Sequence, residues 1–148
     1  MANLISTQDR QTYQSALADV HDTFSRPITV WRDSKQTITS NDPNYDVFSD
    51  TPMQNNVVYT TESKIIQARI KYIDRQEEEF GFIVAGTGID VTQQFQLVRL
   101  KVTAEDNEYM KDCAKVTVDG QDFVQLTVPR PHGLFSNDYF TTYFRSQP

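Results

Sequence analysis

The tripeptide Ser25-Arg26-Pro27 divides the chain into two regimes. Proline fixes its own φ and biases the preceding residue away from the helical region, so a helix that reaches Arg26 must stop there. Before the break, Tyr13, Leu17, Val20 and Phe24 recur at spacings of four, three and four, which predicts one apolar stripe on a helix of about 18 residues. Ser6 is placed to cap that helix, and Asp9 forms a weak capping box with it, Asp standing where Glu is preferred. Arg10, Gln11, Gln14, Asp19 and Asp22 fall on the opposite, solvent-facing side, with His21 on or beside it. After the break, "ITVWR" is β-branched and aromatic and reads as a strand. Ile28, Val30 and Arg32 share one face of it; Thr29 and Trp31 share the other, with Trp31 expected in the core or a barrel seam.

Strand signals then continue to the end. "VVYTTESKIIQARIKYID" reads as a short strand, a turn and a longer strand in which Ile66, Ala68, Ile70 and Tyr72 oppose Gln67, Arg69 and Lys71. "RQEEEF" reads as a charged turn and "GFIVAG" as a buried strand. In "FQLVRLKV", Phe95, Leu97 and Arg99 alternate with Gln96, Val98 and Leu100. "AKVTVDGQDFVQLTV" holds the clearest local signal: two strands around Asp119-Gly120, a dipeptide suited to a two-residue type I′ hairpin turn. Residues 40–56, rich in Asn, Asp, Ser and Pro, read as a long loop of the kind that is usually functional or ordered by a partner. The expected architecture is mainly β: one domain over 1–148, with an N-terminal helix at 6–25, a small antiparallel β-barrel or sandwich over 28–128 carrying the 40–56 loop, and an aromatic segment at 129–148.

Composition narrows the function classes. With 14 basic against 20 acidic residues the formal charge is −6, and no basic stripe is visible along the chain. A dedicated duplex-binding module, which relies on Lys and Arg to neutralise phosphates, is therefore not expected. The single Cys113 cannot form an intramolecular disulfide and reads as a small, half-buried hydrophobe, in keeping with a reducing compartment. No secretory signal or membrane-spanning run is visible, so a soluble, cytoplasmically made protein is expected, with no membrane partner.

Catalytic signatures are not found. "GTG" at Gly86 to Gly88 lacks the third glycine of a dinucleotide fingerprint and reads as a turn between strands. One cysteine and two distant histidines, His21 and His132, are too few for a zinc site. The acidic clusters Glu77-Glu78-Glu79 and Glu105, Asp106, Glu108, Asp112 read as solvated loops. No enzyme activity, cofactor or metal is expected.

Aromatic residues concentrate near the end. Phe135, Tyr139, Phe140, Tyr143 and Phe144 fit either a helix face or a strand, and such residues are enriched in interface cores. The candidate interface is thus Tyr45, Phe48 and Met53 in the long loop together with Phe135, Tyr139, Phe140, Tyr143 and Phe144. Packing of the terminal segment on the barrel is the alternative. Deletion of 135–148 is expected to impair assembly more than monomer folding; a truncated chain that cannot fold would mark the segment as core.

At "FSRPITVWR", read with the helix before it and "DPNYDVF" after it, the sequence resembles the neck proteins of tailed bacteriophages, in particular the head-closure or head-to-tail connector group. The pattern covers residues 6–50; beyond it the strand-rich layout agrees. The resemblance implies a virion protein assembled in the host cytoplasm. It implies a homo-oligomeric ring, commonly a dodecamer, between a portal or adaptor protein and tail proteins, with DNA passing through the lumen without specific binding. A tail terminator or tail completion protein, or a baseplate or other tail-associated β-domain, is the alternative of the same structural class. An enzyme or small-ligand binder would instead need a deep polar pocket with convergent titratable groups, and a nucleic-acid binder would need steep salt-dependent affinity.

Overall fold

The computed structural model describes residues 4–38, 57–89 and 94–147. In chain order they form helix α1 (Thr7–Phe24), strands β1 (Ser25–Ile38) and β2 (Val57–Ile73), helix α2 (Glu78–Thr87), strand β3 (Leu97–Thr103), helix α3 (Ala104–Met110), and strands β4 (Cys113–Val118), β5 (Gln121–Gln125), β6 (Arg130–His132) and β7 (Tyr139–Ser146). The strands lie in the order β3-β2-β1-β4-β5-β7-β6, and β3 also pairs with β7. That last pairing closes six antiparallel strands into a barrel and leaves β6 as one extra strand on β7. The expected mainly-β class is therefore what the chain adopts.

The local rules explain much of this. The Ser6 hydroxyl accepts from the Asp9 N–H at 3.1 Å and caps α1, which ends directly ahead of β1 at the Pro27 break. Asp119 (φ 49°) and Gly120 (φ 80°) take the left-handed conformations of the β4–β5 hairpin turn. Alternation fills the barrel: Ile28, Val30, Ile66, Ala68, Val98, Leu100, Val116 and Phe144 are buried inside it. Trp31, on the other face of β1, is half-buried, and its indole N–H donates to the Thr117 hydroxyl at 2.9 Å.

Five expectations are corrected. "VVYTTESKIIQARIKYI" is one uninterrupted strand, because β1 pairs with it from Ser25–Arg69 to Ile38–Val57 around a single irregularity between Arg32 and Lys35. "GFIVAG" belongs to α2, not to a strand. Glu78 and Glu79 sit in that helix's first turn, where the helix dipole favours anions, and Phe80 and Val84 are buried one turn apart. The "GTG" turn is accordingly the end of this helix, with Gly88 at φ 66° as its left-handed C-cap. The second acidic cluster is helical up to Glu108: Glu105 and Asp106 occupy the first turn of α3, capped by the Thr103 hydroxyl, and Asp112 lies in the turn that follows.

The fifth correction concerns the C-terminal segment. β7 is hydrogen-bonded to β3, β5 and β6, so the barrel extends well beyond residue 128. Phe144 is 0% exposed in the barrel core, and Phe140 packs against the same cluster. These two rings are core, and a chain cut at 135 would lose the strand that closes the barrel.

Candidate functional site

α1 and α2 both dock on the outer face of β7, at different heights. Odd-numbered side chains of β7 point outward because Thr142 and Phe144 point in. α2 is seated over a second apolar cluster outside the barrel, in which Ile73, Leu97, Phe80 and Val84 are buried and Phe95, Leu126 and Tyr143 pack alongside. Its polar lock is Glu79. One oxygen of that carboxylate accepts from the Arg99 guanidinium at 2.8 Å and from the Tyr143 hydroxyl at 2.7 Å; the other meets the Lys71 ammonium at 3.2 Å. Lys71 also reaches Glu77 at 2.6 Å. Burial pushes the Glu79 carboxyl up, but the hydrogen bonds from Tyr143 and Lys71 and the charge of Arg99 outweigh it and hold the group below its ordinary range.

α1 docks by the row Arg10, Gln14, Leu17 and His21, which lies beside its apolar stripe and not opposite it. His21 is 3% exposed and its ring lies 5.1 Å from that of Tyr139. Gln14 donates to the Ser136 hydroxyl at 3.3 Å, and the Arg10 guanidinium lies 5.4 Å from the centre of the Phe135 ring. Gly133 makes this contact possible: a Cβ there would collide with the Ser136 carbonyl oxygen, so only glycine lets the 133–138 loop fold tightly under the helix. Of the expected apolar stripe, Leu17 is half-buried and the rest turns to solvent. Tyr13, Val20 and Phe24 are 52%, 40% and 64% exposed.

Between the two docking points lies a basic groove of about 350 Å³. Strand register assembles it. Arg69 of β2 pairs with Lys101 of β3, Lys101 with Thr141 of β7, and Thr141 with Arg130 of β6. The next rung pairs Lys71 with Arg99 and Arg99 with Tyr143. Like charges directly opposite on neighbouring strands repel. Glu79 compensates the second rung. On the first, among the described residues, no carboxylate pairs with Arg69, Lys101 or Arg130. Burial, with Arg69 and Arg99 beside it, lowers the pKa of Lys101. A basic stripe thus exists on the surface although none is visible along the chain.

The sequence-level candidates separate as follows. Tyr45, Phe48 and Met53 lie outside the described residues. Phe144 and Phe140 belong to the barrel interior, Tyr143 binds α2 through Glu79, and Tyr139 carries α1 through His21. Only Phe135, at 37%, keeps substantial exposure, and it too contacts α1, 6.4 Å from Tyr13. Sequence reasoning missed α1's exposed face and the basic rung. The first was present as a stripe but assigned inward; the second had no linear signal. Among the described residues no group of three or more His, Cys, Asp or Glu is arranged to hold a metal ion, and no helix is long and apolar enough to cross a membrane. No protein-family model, curated protein or solved structure matches this chain.

Proposed function

We propose that the chain is a structural subunit of a tailed-phage neck, of the head-closure kind. In that role copies form a ring that joins a portal or adaptor to the tail around the DNA channel. The observation that carries this reading is the seating of α1, which leaves most of its apolar stripe exposed. A helix held to its barrel by Arg10, Gln14 and His21 presents Tyr13, Val20 and Phe24 outward. Contiguous exposed apolar residues mark association surfaces. A helix face meeting a different surface on the next copy is a heterologous contact, which closes into a ring when the rotation permits.

Light scattering and negative-stain microscopy of the purified protein test this. Rings are the expected result, and Tyr13→Ser with Phe24→Ser should reduce them to smaller species with an unchanged far-UV spectrum. A protein that stays monomeric at high concentration and is missing from virions overturns the reading.

A further inference from the structure

We propose that His21 is a pH latch for α1: protonation of this one imidazole releases the helix from the barrel while the barrel itself stays closed. The latch belongs to a single copy of the chain and stands apart from the ring reading.

The seam under α1 depends on one side chain. Along the whole helix, His21 alone is buried, at 3% exposure. A buried imidazole costs free energy unless its nitrogens are paired, and neither has a hydrogen-bond partner among the described residues. The other anchors are slight. The Gln14–Ser136 bond is 3.3 Å long and exposed, and Leu17 is half-buried. Arg10 rests on the Phe135 ring at 5.4 Å, with its own Nε buried and unbonded among the described residues.

The surroundings of His21 decide what a proton does there. Its ring lies 5.1 Å from the Tyr139 ring of β7, and the Lys101 ammonium of β3 lies 5.8 Å from that same ring. Arg69 of β2 is the cross-strand partner both of Lys101 and of Ser25, the first residue after the helix. An imidazolium would thus stand against two fixed cations at a site closed to water. Asp22 on α1 and Asp106 on α3 oppose them. Asp22 is exposed, where solvent screens it, and Asp106 is already paired with Lys64 at 3.6 Å. Tyr139 stays neutral, because burial and the nearby Asp138 and Asp22 raise its pKa. Burial, with Arg69 and Lys101, outweighs the two carboxylates, so the docked imidazole takes a proton less readily than a free one. The released helix then binds more protons than the docked one. Docking is favoured above the ordinary 6.5 and weakens as pH falls below it.

Release requires little else to move. Phe24 ends α1 and Ser25 opens β1 with no loop between them, Ser25 being extended at φ −75°, ψ 148°. Rotation at that junction swings the helix clear and leaves the β1–β2 ladder from Arg26 onward in place. Tyr139 and the 133–138 loop are uncovered, and the Tyr13, Val20 and Phe24 face loses its fixed position on the barrel. An isolated helix of this length is marginal in water, so its amides exchange once it is free.

Hydrogen exchange of the full chain at pH 7.5 and 5.5, corrected for intrinsic rates, tests the latch. Residues 7–24 should lose about three- to tenfold in protection at the lower pH, tenfold being roughly the limit for one proton taken up one unit below 6.5. Strands β1, β3 and β4 should keep theirs. His21→Leu cannot take the proton and should protect residues 7–24 equally at both pH values; exposed His132 remains in that variant as the internal control. Equal protection of α1 at both pH values in wild type overturns the proposal, as does the same acid loss in His21→Leu. Loss across the barrel strands together with α1 also overturns it, since the proton then acts on the whole fold. If His21→Leu does not fold, NMR titration of the His21 ring in wild type decides: a midpoint below 6.5 that coincides with the loss of α1 protection supports the latch, and one at or above 6.5 overturns it.

Discussion

The Tyr143 hydroxyl donates to Glu79 Oε1 at 2.7 Å, joining the last strand of the barrel to a helix sixty-four residues earlier in the chain. The same oxygen takes Arg99, so the carboxylate balances a pair of cations that would otherwise repel. Glu79→Ala should cost about 1–3 kcal/mol by leaving these donors unmatched, and Tyr143→Phe about 1 kcal/mol. A double-mutant cycle in urea should show the two losses to be less than additive. Because the folded carboxyl is held below its ordinary 4.5, its contribution is present above that value and fades as pH falls through the lower folded one. Glu79→Gln should flatten that acid limb.

His21 gives a pH dependence of the same sign in a higher window, from a different cause. Burial lowers its pKa from 6.5; Asp22 and Asp106 pull it up, Arg69 and Lys101 push it down, and the lowering wins. Neither ring nitrogen has a hydrogen-bond partner among the described residues. The unfolded chain therefore binds a proton near 6.5 that the folded one resists, and stability should fall as pH drops below about 6.5. His21→Leu should remove that slope. Thermal melts from pH 7.5 to 5 check it, and an unchanged slope in the variant would disprove the assignment.

Phe144→Ala removes a fully buried ring and should cost about 3–5 kcal/mol. Deletion of 135–148 should abolish the cooperative transition outright, since it takes β7 from between β3 and β5. Chemical denaturation of both forms decides it; a truncated chain that still unfolds cooperatively would contradict the barrel closure.

Gly133→Ala should disturb α1 without unfolding the barrel. The new Cβ meets backbone rather than a pliable side chain, so the 133–138 loop must move, and with it the Ser136 and Phe135 contacts to α1. Faster proteolysis within residues 7–24, with barrel amides still protected in hydrogen exchange, is the expected signature.

How much of this could be read from the chain depends on how local each determinant is. The helix break at Pro27, the Ser6 cap, the Asp119-Gly120 turn and the inward sets Ile28/Val30 and Ile66/Ala68 all follow from neighbours in sequence. "GFIVAG" did not, because a short apolar run fits a buried strand or a buried helix equally; the three glutamates ahead of it and Gly88 after it were the available tie-breakers. The seating of α1 departs from its apolar stripe because the loop at Gly133 receives Gln14, which rotates Tyr13, Val20 and Phe24 outward while Leu17 stays half-buried. Arg69, Lys101 and Arg130 come together through strand register alone, which no linear pattern encodes.

Barrel closure has a kinetic consequence. β3 meets β7 through pairs about forty residues apart, and β1 meets β4 across more than eighty. Contacts so distant in sequence require costly loop closure before they stabilise anything, which places this barrel among the slow two-state topologies, folding in milliseconds to seconds. Once closed, neither β3 nor β7 can leave without breaking ladders on both of its sides. Opening is then an all-or-none event, and in the proposed ring each subunit would enter its contacts as one already closed unit.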